Sequence, residues 1–228
     1  MSEQAEELEQ EQPDTSPSPE ERREWRATAL RLVRQYPDPA LRNPASPVAQ
    51  VDEEVQRLAA RMVDVMERSH GVGLAAPQLG VLRRIFVYRV GDEDAPRILI
   101  NPKLSQLSEE TDVSTEGCLS LLGGELQVPV ERHVRLHVSA TDALGEDFEL
   151  EAEGFEARVI QHEIDHLDGV LMLERTEREQ RRAALSALRE GGTYAPPRPE
   201  AEEAAASNGG GPDGAGSRET EEPPGSSG

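Results

Sequence analysis

Cysteine is nearly absent from this chain: Cys118 is the only one in 228 residues. That excludes an intramolecular disulfide and fits a reducing compartment. No apolar run approaches 18 residues, so the sequence predicts no transmembrane helix and no membrane partner. The first residues lack the basic-then-apolar order of a secretory signal and the arginine-rich, acid-poor make-up of a transit peptide. These absences lead to the expectation of a cytoplasmic protein. Positive charge is scarce as well. The formal net charge is −21, which argues against general nucleic-acid affinity and for repulsion between copies in solution.

The charge is unevenly spread. Residues 1–24 carry nine acidic side chains against two arginines, without an aromatic residue or an apolar run. Residues 190–228 carry eight acidic against two basic residues and are rich in Gly, Pro, Ser and Ala. Such segments bury too little apolar surface to offset ordering entropy, so both are expected to be disordered acidic tails. The remaining segment, 25–189, is long enough for one domain with a real core.

Within it, Asp52 is placed to cap a helix over about 53–68, where Val55, Leu58, Ala59, Met62, Val63 and Met66 follow a helical period. Gly71-Val72-Gly73 is expected to end that helix. Arg84–Val90 and Arg97–Ile100 read as strands joined by a turn at Gly91–Asp94, and Asn101-Pro102 as punctuation. Further β-type alternation runs over 128–138 and 147–152. Helices are expected from about Gly154 and over about 175–189, the latter strongly charged. Strands in short runs between few helices, without regular βαβ alternation, predict an α+β fold. Its sheets are expected to be largely antiparallel or mixed around a central helix, with a second helix at the C-terminal end.

That central helix would carry His162-Glu163-Ile164-Asp165-His166. Residues four apart lie above one another on a helix, so His162 and His166 can hold one metal ion together. Glu163 sits about 100° round the helix and can reach a water near the ion without being a ligand. This is a layout for metal-assisted hydrolysis. Two helical histidines can also be a solvated face. The apolar frame of Phe155, Val159, Ile160, Leu167, Val170, Leu171 and Leu173 favours a half-buried helix, in which histidines need partners.

A hydrolytic site wants a third protein ligand. One class of HExxH protease places a third His six residues after the second, and here that position is Met172. A thioether is a poor ligand for a hydrolytic divalent ion. Cys118 is the other candidate, although a lone Cys is often only a small buried hydrophobe.

Three segments make the sequence recognisable. Gly71-Val72-Gly73-Leu74-Ala75-Ala76-Pro77-Gln78, Glu116-Gly117-Cys118-Leu119-Ser120 and Gln161-His162-Glu163-Ile164-Asp165-His166-Leu167-Asp168-Gly169 resemble, in order, the three motifs of the peptide deformylase family. The resemblance covers roughly residues 30–175. It implies removal of the formyl group from N-formylmethionine at the start of nascent polypeptides. It implies that Cys118, His162 and His166 hold one divalent ion, Fe(II) by family preference, with Zn(II), Ni(II) and Co(II) compatible with the same ligands. Glu163 becomes the proton shuttle, and Gln78 with the Leu119 backbone N–H the oxyanion donors. The resemblance also puts the Gly73 backbone in the substrate channel, with Val72, Phe155 and Val159 expected to build the methionine pocket. A monomer is expected. The resemblance also suggests the ribosome as a partner, touched through the arginine-rich last helix, against which the acidic tail argues.

The sequence departs from the family after the second motif. Leu121-Leu122-Gly123-Gly124 stands where many members have a residue and then Pro-Gly, so no peptide-binding arginine is assigned in this loop. Glu116 is expected to tie the loop to an arginine. Asp165 and Asp168 are expected to play supporting or surface roles, and His70, His133 and His137 to be non-ligands. The competing readings are an HExxH endopeptidase with a distant Glu as third ligand, and a catalytically silent binding protein with the same fold.

Overall fold

The computed structural model describes residues 17–91 and 94–196. Its elements in chain order are α1 (Pro19–Leu30), α2 (Glu53–Arg68), β1 (Gly73–Ala75), β2 (Ile85–Tyr88), β3 (Arg97–Ser105) and β4 (Thr111–Gly117). They continue with β5 (Gln127–His133), β6 (Arg135–Thr141), β7 (Asp147–Glu153), α3 (Gly154–Leu167) and α4 (Arg178–Arg189). Short 3-10 turns join several of them.

The strands form a five-stranded sheet in the order β1-β2-β3-β6-β7 and a separate β4-β5 ribbon. Neighbouring strands in both pair antiparallel. This is the α+β architecture that the strand pattern predicts.

All four residues of β2 are buried, because both faces of the large sheet are covered. Ile85 and Val87 pack with Val55, Met62, Val65 and Met66 of α2. Phe86 and Tyr88 point the other way, as strand alternation requires, and join Ala157, Ile160, Ile164 and Leu167 of α3. The helix carrying the two histidines is thus packed on the sheet, and it also contacts β5 of the ribbon. A third apolar cluster joins Val128 and Val130 of β5 to Met172, Leu173 and Ala184 beneath the loop that carries Cys118.

Several boundaries differ from expectation. Residues 19–24, expected as tail, form the first half of α1. Ser18 and Glu21 make a reciprocal capping box with Pro19 at the first turn, which nucleates a helix despite the weak apolar content. At the other end, the Gln127 N–H donates to the Tyr194 carbonyl at 2.7 Å, so the chain stays attached to β5 beyond residue 189. Residues 1–16 and 197–228, which hold the rest of both expected tails, lie outside the described residues.

Asp52 caps α2 as expected, accepting from the Val55 N–H at 3.0 Å. The stop is different: His70, not a glycine, takes the left-handed conformation after the helix, with φ +58°. Asn101-Pro102 punctuates without ending the strand. Asn101 has φ +53°, the β3–β6 register shifts between Ile100 and Lys103, and β3 continues to Ser105. Proline has no N–H for the ladder, and a bulge accommodates it. The Asn101 side chain instead clamps Val48 through both its N–H and its carbonyl, each at 2.8 Å. Residues 92 and 93 of the expected β2–β3 turn lie outside the described residues. Strand β4 escaped the periodicity reading because only one of its seven residues, Glu116, is buried.

Candidate metal centre

Helix α3 turns its apolar side to the large sheet, so His162 and His166, one turn apart, emerge together on another face. The residue that meets them comes from the end of β4. Cys118 Sγ lies 3.2 Å from His166 Nε2. One donor atom each from Cys118, His162 and His166 falls within 4.8 Å of the other two. Tetrahedral coordination with bonds of about 2.0–2.3 Å puts donor atoms roughly 3.3–3.6 Å apart. Both the size of the triangle and its chemistry, one thiol and two imidazoles, therefore fit a single divalent transition-metal ion. Met172, at the third position of the protease pattern, is buried in the apolar cluster below.

A carboxylate orients the first histidine. His162 Nδ1 lies 2.9 Å from Glu116 Oε2. Donation from Nδ1–H leaves Nε2 as the ligand atom. Glu116 is itself held by Arg132, which approaches both carboxylate oxygens at 2.9 and 3.0 Å, and by Arg158 Nη1 at 2.9 Å. Arg132 also reaches Asp165 Oδ2 at 2.6 Å, and Arg175 Nη2 reaches Asp165 Oδ1 at 2.6 Å. Burial works against ionisation of Glu116, but the hydrogen bonds from His162 and Arg132 outweigh it and hold the carboxyl well below the usual carboxylate range.

The two histidines are pushed apart. Burial drives His166 well below its ordinary value, aided by His162 beside it, so the ring is the neutral, ligating form. For His162 burial acts in the same sense, but contact with Cys118 and Glu116 outweighs it and raises the group well above its ordinary value.

Glu163 is buried, and among the described residues its Oε2 has no hydrogen-bond partner. Burial, the largest influence, pushes its carboxyl up to about 7. A bound cation nearby would draw that value down again. Gly73 packs directly on it: a Cβ there would lie 2.3 Å from Glu163 Oε1. Gln78 sits in a 3-10 turn after β1, where its Oε1 accepts from the Ala75 N–H at 2.8 Å. This fixes the amide so that Nε2 faces Ser120 Oγ at 3.2 Å and Cys118 Sγ at 3.7 Å. The peptide plane carrying the Leu119 N–H is held by its own carbonyl, that of Cys118, which accepts from the Leu121 N–H at 2.8 Å.

These groups line a cavity of about 390 Å³ that includes Val72, Gly73, Gln78, Cys118, Leu119, His162 and Glu163, with Phe155 and Val159 on its apolar side. All the site residues expected from the sequence line the cavity except His166, which is buried with its Nε2 3.2 Å from the Sγ of cavity-lining Cys118. A buried carboxylate, an oriented amide and a metal-competent triad around one cavity can activate water and stabilise an oxyanion.

A family model described as polypeptide deformylase matches residues 30–182. The chain belongs to the polypeptide deformylase family. A peptide deformylase of Acidothermus cellulolyticus is 45% identical over 162 residues, covering 71% of this chain and 87% of that one. The crystal structure of a peptide deformylase from Thermus thermophilus is similar with a TM-score of 0.65 at 43% identity, covering 70% of this chain and 93% of that one. That of Thermotoga maritima gives 0.61 at 44% identity, covering 64% and 96%. This deformylase is an enzyme that hydrolyses the formyl group from nascent peptides. Among the described residues, no helix is long and apolar enough to cross a membrane.

The sequence reading missed Arg132, Arg158, Ser120 and Gln35. Arg158 had a signal: it lies four residues before His162 on the same helix. Arg132 had none, because a charged residue in an alternating strand reads as solvent-facing until its partner across the core is known. Gln35 Nε2 donates to the Leu119 carbonyl at 2.9 Å from a loop 84 residues away in sequence. Asp168 pairs with Arg84 at 2.6 Å on the surface, as expected. His133 and His137 bond Ser108 and Ser105, away from the triad.

Proposed function

We propose that Cys118, His162 and His166 hold one divalent ion and that Glu163, Gln78 and the Leu119 N–H carry out formyl hydrolysis beside it. The observation that supports this most is the convergence of Cys118 with the two helical histidines, His162 and His166, the second of them 48 residues away in sequence. Bound there, the ion supplies Lewis acidity for water and for a carbonyl. Glu163 takes the proton of the attacking water with its unpartnered Oε2 and later returns a proton to the leaving amine. The Gln78 amide and the Leu119 N–H receive the oxyanion that develops on the formyl oxygen. Losing one such donor typically costs about 100- to 1,000-fold in rate. Val72 and Gly73 line the channel for the peptide, and Phe155 and Val159 bound the pocket for the methionine side chain.

Fe(II) is the proposed native ion, since a thiolate with two imidazoles accepts it and the family resemblance favours it. Zn(II), Ni(II) and Co(II) suit the same donors. The enzyme is proposed to act as a monomer in the cytoplasm. Exposed Arg178, Arg182 and Arg189 on α4 support contact with ribosomal RNA, while the net charge of −21 opposes it. Co-sedimentation with ribosomes at moderate salt tests that extension.

The decisive test is turnover of a formyl-Met peptide by anaerobically purified protein with its metal content measured. Glu163→Ala should retain the ion and lose activity. Inactivity of the Fe(II), Ni(II) and Zn(II) forms alike would overturn the proposal.

A further inference from the structure

The loop that follows Cys118 is braced by α1, most of which precedes the family-matched residues. Leu122, Gly123 and Gly124 are all left-handed, with φ of +54°, +64° and +94°. Leu30 of α1 packs on this loop: its Cδ1 would lie 3.1 Å from a Cβ at Gly123. One helical turn earlier, Arg26 Nη2 donates to the Gly123 carbonyl at 3.0 Å. Arg26 precedes residue 30, where the family match begins, yet its side chain lines the same cavity as Glu163 and Gln78.

The cavity lining contains a second arginine, Arg158, but that one is tied to Glu116 and Asp112 by ion pairs of 2.9 and 3.1 Å. A guanidinium has five N–H donors. Among the described residues Arg26 uses one hydrogen bond, to Gly123, so its remaining donors are available at the cavity. It is half-buried, which leaves it accessible while removing part of its water. Glu125 lines the cavity too and is exposed. It is an acceptor, suited to peptide N–H groups or cations, and cannot replace Arg26 as a donor.

We infer that Arg26 is a substrate-positioning residue, donating to an oxygen of the peptide downstream of the formyl-methionine. That oxygen is either a main-chain carbonyl or a side-chain carboxylate. The inference rests on the deformylase reading. It assigns to α1 the peptide-binding arginine that the loop after Cys118 does not itself supply.

The experiment compares kcat and KM of the parent, Arg26→Ala and Arg26→Lys proteins. The substrates are formyl-Met-NH2, formyl-Met-Ala-Ser-Ala-NH2 and formyl-Met-Ala-Asp-Ala-NH2, all lacking a terminal carboxylate. Hydrogen bonds to a charged group of this kind correspond to roughly tenfold in affinity at the weaker end. Arg26→Ala should therefore lower kcat/KM on the tetrapeptides about tenfold more than on formyl-Met-NH2, mainly through KM. Arg26→Lys should recover part of that difference. Equal extra losses on the Ser and Asp peptides identify a main-chain carbonyl; a larger loss on the Asp peptide identifies a carboxylate. The same loss on all three substrates would mean that Arg26 only braces the loop, and would overturn the inference, as would no loss. Thermal unfolding of each variant separates a folding defect, which lowers activity on all three alike. A parent inert toward all three peptides would instead sink the deformylase reading itself.

Discussion

His162 Nδ1 and Glu116 Oε2 stand 2.9 Å apart, joining the metal-competent helix to the strand that ends one residue before Cys118. The same carboxylate pairs with both Arg132 and Arg158 in the interior, which Asp165 and Asp112 also contact. Glu116 is therefore both an orienting group for a ligand and a counter-charge to two buried arginines.

Glu116→Ala should act on both roles. Removing one partner of a buried charged network typically costs about 3–5 kcal/mol. Loss of a carboxylate behind a ligating histidine typically weakens metal binding about 10- to 100-fold. Chemical denaturation and metal competition with a chelator measure the two effects separately. Unchanged metal affinity would show that the Glu116–His162 contact does not orient the ligand.

Gly73→Ala should impair catalysis while leaving the metal donors intact. The new methyl would fall 2.3 Å from Glu163 Oε1, so the carboxylate must move. Misplacing a catalytic group by about 1 Å can cost on the order of 100-fold. The expected result is a fall in kcat of that order with full metal content. A variant as active as the parent would contradict the tight packing of Gly73 on Glu163.

Cys118→Ala should abolish stoichiometric metal binding, since it removes the thiolate and leaves two imidazoles. A ligand that binds only the folded state raises its stability, so chelation should lower the melting temperature of the parent. The variant should melt at the same temperature with and without chelator. Retention of tightly bound metal by the variant would favour the endopeptidase arrangement, with another residue as third ligand.

Tyr88 gives a prediction at alkaline pH. Burial, together with its hydrogen bond to Glu156 at 2.7 Å, raises the phenol above its ordinary value of 10.0. A raised folded-state value means that the stability it contributes is complete below about pH 10. That contribution is lost as pH climbs from there toward the folded value. Tyr88→Phe should flatten the alkaline limb of the stability–pH curve, relative to the parent, in urea titrations above pH 9. An unchanged limb would show that this phenol does not titrate with unfolding.

Much of the site was legible because its spacing is local. His162 and His166 fall on one helical face by the 3.6-residue period alone, and Asp52 sits where an N-cap must be. Met172 was excluded as a ligand on chemical grounds, and it lies in an apolar cluster. Other features needed neighbours that the chain supplies from far away. The Arg132–Glu116 contact spans 16 residues, and the Arg26–Gly123 contact spans 97. Strand β4 carries no apolar alternation, since among the described residues it pairs with β5 alone and most of it is exposed. The first half of α1 was misread because composition outweighed a capping box at Ser18 and Glu21, which local sequence did contain.

By itself the sequence determined the two imidazoles, the carboxylate beside them and the helix that carries them, because helical geometry is set by the backbone. The sequence assigned Cys118 as a ligand only through a family resemblance; tertiary structure decided that it lies beside the two histidines and that Arg132 and Arg158 become buried partners of Glu116. It also decided that α1 leans on the loop after the cysteine. These are contacts between segments distant along the chain. They form only when both faces of the large sheet and the side of the β4–β5 ribbon are buried at once, and no local period encodes which residues then meet.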